Sequence, residues 1–277
     1  MLKKTLAILN NHISIPTTGS WDISTAVYAN KSVDVSSYTT RTWGLQFSPD
    51  GLNMYFCNDE TNHLFQYSLS KAWDVSTGVY SKTFNASNQV TDSADGLQFS
   101  SDGTKMYILG QGDRKIFQYS LSTAWDISTA SYTSKYFSVS GYQDPRGIFL
   151  SSDGLKLYLS DNYSGSISRF SLSTAWDIST ASYLNDSYVA GGGTIDLQFS
   201  PDGTNLYTMA GGTKIIYQYI LSTAWDITSY GLAPNYSHYF LANGQESSVE
   251  SFFVATNGLN LYITGSSPST VFEYTLT

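Results

Sequence analysis

The sequence predicts an all-β protein, a closed five-bladed β-propeller with four antiparallel strands per blade. Three observations carry the prediction. A unit of about 51 residues recurs five times, each unit divides into four short strand-like segments, and the two chain ends hold complementary parts of a unit. The clearest landmark is Trp-Asp followed by Ile or Val, at Trp21, Trp73, Trp125, Trp176 and Trp225, with intervals of 52, 52, 51 and 49 residues. Around it the text is nearly verbatim, LSTAWDISTASY from Leu121 and from Leu172, and LSTAWDIT from Leu221. The second landmark is a turn: SPDG from Ser48 and Ser200, SSDG from Ser100 and Ser151, and a degenerate ATNG from Ala255. Four residues after each turn glycine stands a tyrosine, namely Tyr55, Tyr107, Tyr158, Tyr207 and Tyr262.

Within each unit, strand a is GLQFS from Gly44 and Gly96, GIFLS from Gly147, DLQFS from Asp196 and SFFVA from Ser251. The turn closes it: Pro presets φ at the second position, and Gly takes the left-handed conformation beyond. Strand b carries the tyrosine, as in MYF from Met54 and LYL from Leu157. Strand c alternates with period two, in FQYSL from Phe65 and Phe117, SRFSL from Ser168, YQYIL from Tyr217 and FEYTL from Phe272. Strand d, for example SYTSKYFSV from Ser131, is the loosest, as expected of a solvent-facing edge. No segment shows sustained helical periodicity.

The termini decide closure. The chain ends on a strand c, Thr270 to Leu276, and begins with a Trp-Asp-Ile corner and a strand d, Ala26 to Val35. The first strand is therefore expected to complete the last blade and to remove a sheet edge that would template aggregation. Residues 1–18 read as a flexible or docking arm, and residues 19–277 as one propeller domain.

The core F-S-P-D-G-x-x-L/M-Y resembles the WD40-like and YVTN-type propeller repeats. The AWDIST text resembles tandem repeats in uncharacterised propellers of bacteriophages and environmental bacteria. The resemblance spans about residues 20–277. It implies architecture far more than activity, because such propellers host lectins, glycosidases, lactonases and scaffolds.

Composition agrees with β structure: 22 Tyr, 14 Phe and 6 Trp with only 13% charged residues. A net charge of −8, dispersed along the chain, argues against a nucleic-acid partner and offers no polybasic attraction to membranes. Cys57 is the single cysteine, so an intrachain disulfide is excluded; this fits a reducing cytosol or any large β protein that needs no cross-link. The apolar run Leu6 to Leu9 after Lys3 and Lys4 is too short for a secretory or membrane-spanning segment, leaving a cytoplasmic or virion location open. The three histidines lack zinc spacing, and no GxSxG, CxxC or phosphate-binding glycine loop occurs, so neither cofactor nor metal is implied.

Two sets of candidate site residues remain. The Trp-Asp-Ile corners read first as structure, with Trp filling the seam between blades and Asp accepting backbone N–H groups in an Asx-type turn. Their functional reading is five repeated aromatic–carboxylate sugar sites. The SPDG aspartates Asp50, Asp102, Asp153 and Asp202 read as turn chemistry rather than calcium ligands. The other set follows from where repeats differ. The a–b turns and c–d loops share one monotonous face, whereas the b–c and d–a loops share a variable one. At the channel mouth of the variable face stand Trp43, Asp95, Arg146, Ile195 and Glu250, with Asp196 adjoining; for a recognition site Trp43 is expected to provide the stacking surface, with Asp95, Arg146 and Glu250 hydrogen-bonding a polar ligand. Arg146 is expected to pair with Asp95 or Asp144. Convergence of Asp95, Asp196 and Glu250 would suit a hydrolase needing two carboxyls. The leading expectation is a non-catalytic recognition propeller for a glycan or cell-surface receptor, on a phage tail or as a decoration protein, its arm contacting other virion proteins. A glycoside or lactone hydrolase and a purely structural module are the alternatives.

Overall fold

The turn tetrapeptides set the blades. In four of the five, the serine Oγ donates to the turn aspartate two residues on (Ser48 to Asp50 at 2.6 Å, Ser200 to Asp202 at 2.6 Å) and that acid receives the N–H beyond the glycine; in the fifth, Asn257 accepts the Leu259 N–H instead. Gly51, Gly103, Gly154, Gly203 and Gly258 all adopt φ between 68° and 73°, the left-handed region in which a side chain would be strained. These are the aspartate roles expected of turn chemistry.

The computed structural model describes residues 20–190, 193–229, 238–242 and 244–277; the expected arm over residues 1–18 lies outside them. The chain opens with β1 (Val27–Asp34). Blade 1 is β2 (Trp43–Phe47), β3 (Asn53–Asn58), β4 (His63–Leu69) and β5 (Gly78–Asn85). Blade 2 is β6 (Ala94–Phe99), β7 (Lys105–Gly110), β8 (Lys115–Leu121) and β9 (Ala130–Ser138). Blade 3 is β10 (Pro145–Leu150), β11 (Lys156–Asp161), β12 (Ser166–Leu172) and β13 (Ala181–Val189). Blade 4 is β14 (Thr194–Phe199), β15 (Asn205–Ala210), β16 (Ile215–Ile220) and β17 (His238–Leu241). Blade 5 is β18 (Val249–Val254), β19 (Asn260–Gly265) and β20 (Thr270–Thr275), completed by β1. All pairings are antiparallel, and β1 runs along β20 from Val27 opposite Thr275 to Asp34 opposite Thr270. The innermost strands pack in sequence, β2 on β6, β10, β14 and β18, and β18 returns to β2, so the ring is closed.

The seams repeat the same bonds. The buried strand-b tyrosine of each blade donates to the tryptophan carbonyl of the next: Tyr55 to Trp125, Tyr107 to Trp176, Tyr158 to Trp225, Tyr207 to Trp21 and Tyr262 to Trp73, at 2.5–2.8 Å. A strand-c side chain accepts the N–H after the next blade's Asp: Gln66 from Ile127, Gln118 from Ile178, Gln218 from Ile23 and Glu273 from Val75. Blade 3 has Arg169 at this register, and it reaches Asp226 and the Trp225 carbonyl instead. Lysines on the outer strands cross the seam as well, pairing Lys82 with Asp126, Lys135 with Asp177 and Lys31 with Asp74. Blade 3 places Asp186 where blade 2 has Lys135, and Arg169 pairs with it. One reversed charge is thus answered by another within the same blade.

Candidate binding sites on the two faces

Strand a runs from the variable face to the monotonous one, so its first residues line one mouth of the channel and its last residues the other. At the variable mouth the structure gathers Trp43, Asp95, Arg146 and Glu250 with Asp144 and with three groups the sequence reading had not placed there: Arg41, Asp59 and Gln111. Arg146 pairs with both expected partners, through Nη1 to Asp95 at 2.7 Å and Nε to Asp144 at 2.7 Å. Arg41 lies 2.9 Å from Asp59 and 3.8 Å from Glu250. Asp144 also accepts from Gln111 and Asn162. Trp43 is only 4% exposed, and the guanidinium carbons of Arg146 and Arg41 lie 5.1 and 5.8 Å from its ring, within cation–π reach. Its indole therefore serves the cluster, and the open stacking face expected of a sugar platform is not presented.

Burial dominates the titration of this mouth. It pushes the Asp95 carboxyl up to about 7, against the opposing pull of the Arg146 guanidinium and the Ser93 hydroxyl. Burial likewise raises Glu250 against Arg41. Asp144 is held below the usual carboxylate range: burial opposes this, but Asn162 and Arg146 outweigh it. Asp196 does not join the ion pairs. Its Oδ2 accepts from Ser251 Oγ at 2.7 Å and Phe252 N at 3.2 Å, and its Oδ1 from Leu197 N at 2.9 Å; burial raises its carboxyl to about 6. Ser251 Oγ in turn accepts from Leu45 N at 2.9 Å, so Asp196 helps to link blades 4, 5 and 1. Blades 1, 2 and 3 have Gly44, Gly96 and Gly147 at this register. A Cβ on Gly44 would lie 2.8 Å from the Asp95 carbonyl, so the inner strands abut too closely there for most side chains.

The monotonous face holds a cavity. A bowl of about 570 Å³ opens at the axis, with Trp73, Trp125, Trp176 and Trp225 on its wall and Phe47, Phe99 and Phe199 beneath them. At one register of strand a its floor presents Gln46, Gln98, Phe149, Gln198 and Phe253 from successive blades, and its rim carries Pro49, Ser101, Ser152, Pro201 and Thr256. Among the described residues, none lining it is acidic, basic, histidine, cysteine or tyrosine. The volume lies within the range usual for small-molecule sites.

The five tryptophans owe this placement to backbone geometry. All have positive φ, from 54° to 65°, a conformation that costs a non-glycine residue of order 1 kcal/mol or more. The cost is offset locally. Each indole lies against its blade's turn glycine, where a Cβ would fall 2.2–2.5 Å from the ring. The Trp N–H also bonds the glycine carbonyl, as from Trp125 to Gly103 at 3.0 Å. The tryptophan carbonyl crosses the seam while the ring covers its own turn, and the Trp225 ring also meets Phe149 of blade 3, with centroids 6.2 Å apart. Four of the following aspartates make the expected Asx bonds, as Asp126 from Ser128 N at 3.1 Å and Asp177 from Ser179 N at 3.2 Å, whereas Asp74 accepts the Ser76 hydroxyl and no backbone N–H there. Trp21, the blade 5 counterpart, is not in the bowl lining. What the sequence reading missed was that four of these corners surround one shared axial cavity. The signal was present in two invariant loops assigned to one face.

Among the described residues, no group of three or more His, Cys, Asp or Glu is placed to hold a metal ion, and no helix is long and apolar enough to cross a membrane. No known protein family matches the chain, and no curated protein does. Among solved structures it is similar to a functionally unknown protein of Desulfotomaculum acetoxidans DSM 771, at 14% identity and a TM-score of 0.46 over 80% of this chain and 62% of that one. It is also similar to a candidate 6-phosphogluconolactonase of Bacteroides fragilis NCTC 9343, at 16% identity and a TM-score of 0.47 over 79% of this chain and 62% of that one. The chain thus spans less than two thirds of either structure's length.

Proposed function

We propose that this protein is a non-catalytic recognition propeller that takes a neutral glycan in the axial bowl. The observation that carries the reading is an indole-walled cavity whose lining, among the described residues, contains no ionisable side chain. Flat aromatic faces suit the C–H faces of sugar rings, and glutamine and serine side chains suit their hydroxyls. Nothing in the lining can act as general acid, base or charged nucleophile at neutral pH. Because four corners share one axial cavity, this reading has one ligand per chain instead of five separate sites. A receptor glycan is the natural partner of such a site. A place on a bacteriophage particle, with residues 1–18 contacting other virion proteins, rests on the resemblance of the repeat text alone.

The test is a screen of neutral oligosaccharides by indole fluorescence and calorimetry. One ligand per chain is expected, with binding lost in Ser152→Trp, which fills the rim, and kept in Arg146→Ala at the opposite mouth. A stoichiometry near five, or binding that survives Ser152→Trp, would refute the site. A second reading has one observation in its favour. Asp95, raised to about 7, is equipped to hold a proton at neutral pH within the cluster that contains Glu250. A screen of aryl glycosides and lactones is expected to show no turnover; turnover abolished by Glu250→Gln and by Asp95→Asn would replace recognition with hydrolysis.

A further inference from the structure

We propose that Gln46 determines the specificity of the bowl, its side-chain amide binding a vicinal pair of hydroxyls on a saturated ring: one hydroxyl donates to Oε1 and the neighbouring oxygen accepts from Nε2. The inference rests on the bowl being the binding site. Three blades present glutamine at one register of the floor, yet their amides have different fates. Gln198 crosses to blade 5 and uses both ends, accepting from Val254 N at 2.7 Å and donating to Val254 O at 2.8 Å. For Gln46 the corresponding residue of the next blade is Phe99, which like Val254 is the last residue of its inner strand. The Phe99 carbonyl accepts at 3.3 Å from Gln98 of its own blade, whose Oε1 is shut off from solvent. Gln46 makes no such crossing. Among the described residues neither end of its amide has a hydrogen-bond partner, and neither end is shut off from solvent.

A free carboxamide offers an acceptor oxygen and N–H donors side by side. Adjacent hydroxyls on a ring match it, since one supplies a proton and the other a lone pair, and the two bonds together fix the ring's orientation. Aromatic surface stands beside this amide. Phe253, the floor residue of blade 5, packs on Phe47 with centroids 5.2 Å apart, and the Phe47 centroid lies 5.8 Å from that of Trp73 on the wall. A ring held by Gln46 therefore lays its C–H surface against aromatic faces while its hydroxyls meet the amide. Water satisfies the same amide in the free protein, so each bond to the ligand contributes only the modest net gain of an exchanged hydrogen bond. The resulting preference is severalfold, and it runs against hydrophobicity, which in an apolar bowl favours the ring with fewer hydroxyls.

The experiment titrates cis-1,2-cyclohexanediol and cyclohexanol against the intact protein by indole fluorescence. The two hydroxyls of the diol stay gauche in either chair, so both reach one amide. The parent should bind the diol about threefold more tightly than cyclohexanol, or better. Gln46→Leu and Gln46→Met should reverse that order, because only the apolar contribution remains. Arg146→Ala, at the opposite mouth, should keep the diol preference. Two variants of different shape guard against a packing defect in either. Cyclohexanol bound as tightly as the diol by the parent, or a diol preference that survives both Gln46 variants, overturns the role of Gln46 while leaving the bowl intact. Absence of any indole response that Ser152→Trp removes overturns the bowl itself.

Discussion

The Tyr-to-Trp seam bonds invite a paired test in which the molecule supplies its own control. Tyr107 is fully buried, and its hydroxyl donates to the Trp176 carbonyl at 2.7 Å. Tyr107→Phe removes the donor and leaves that part-buried carbonyl without a replacement, which costs about 1–2 kcal/mol after allowing for partial access of water. Tyr158 makes the same bond to Trp225 at 2.5 Å, but Arg169 Nη1 also reaches that carbonyl at 3.2 Å. The acceptor in blade 4 stays paired when the tyrosine hydroxyl is lost, so Tyr158→Phe should cost about 0.5 kcal/mol. For a domain of this size, 1 kcal/mol moves the melting temperature by about 2–4 °C. Scanning calorimetry at one fixed scan rate should therefore show a fall of about 2–8 °C for Tyr107→Phe and of about 1–2 °C for Tyr158→Phe. Equal shifts, or a larger one for Tyr158→Phe, would show that the carbonyl's pairing does not govern the seam.

Deleting residues 1–35 removes β1 and exposes the edge of β20. It also strips Lys31 from Glu273, whose side chain is 1% exposed. Aggregation, or melting lowered by several degrees, is expected in light scattering and calorimetry, whereas a monomer with unchanged melting would show that the ends do not hold the ring. The pH response of the variable mouth follows from Asp95. Its folded value, raised from 3.8 to about 7, favours the protonated folded state. That contribution to stability is fully present below about pH 4 and is lost as pH rises towards 7. Asp95→Asn lacks this titration, so its stability relative to the parent should climb between pH 4 and pH 7 in urea melts. A difference that stays flat across that window would mean that Asp95 titrates as an exposed carboxylate.

The repeat text determined a great deal. Blade number, strand order within each blade, turn chemistry at Asp50 or Asp202, and completion of the last blade by β1 were all legible, because each depends on local backbone preference or two-residue alternation repeated five times. An ion pair of Arg146 with Asp95 or Asp144 was legible from blade register and chain proximity, and the structure makes both. The site was not decided in the same way. Trp43 read as an exposed platform, but two arginines flank a ring buried in the core. Asp196 read as a partner of Asp95 and Glu250, yet it bonds Ser251 and Phe252 across a seam. Such fates depend on how closely neighbouring inner strands approach, and spacing along one chain carries no measure of that distance. The axial bowl has the same origin. A tryptophan on its own turn glycine is a local fact, but the enclosed volume exists only once successive blades meet around an axis. Whether the glutamine of one blade is used up in a seam, as in Gln198, or left with a free amide, as in Gln46, is likewise decided by the neighbouring blade.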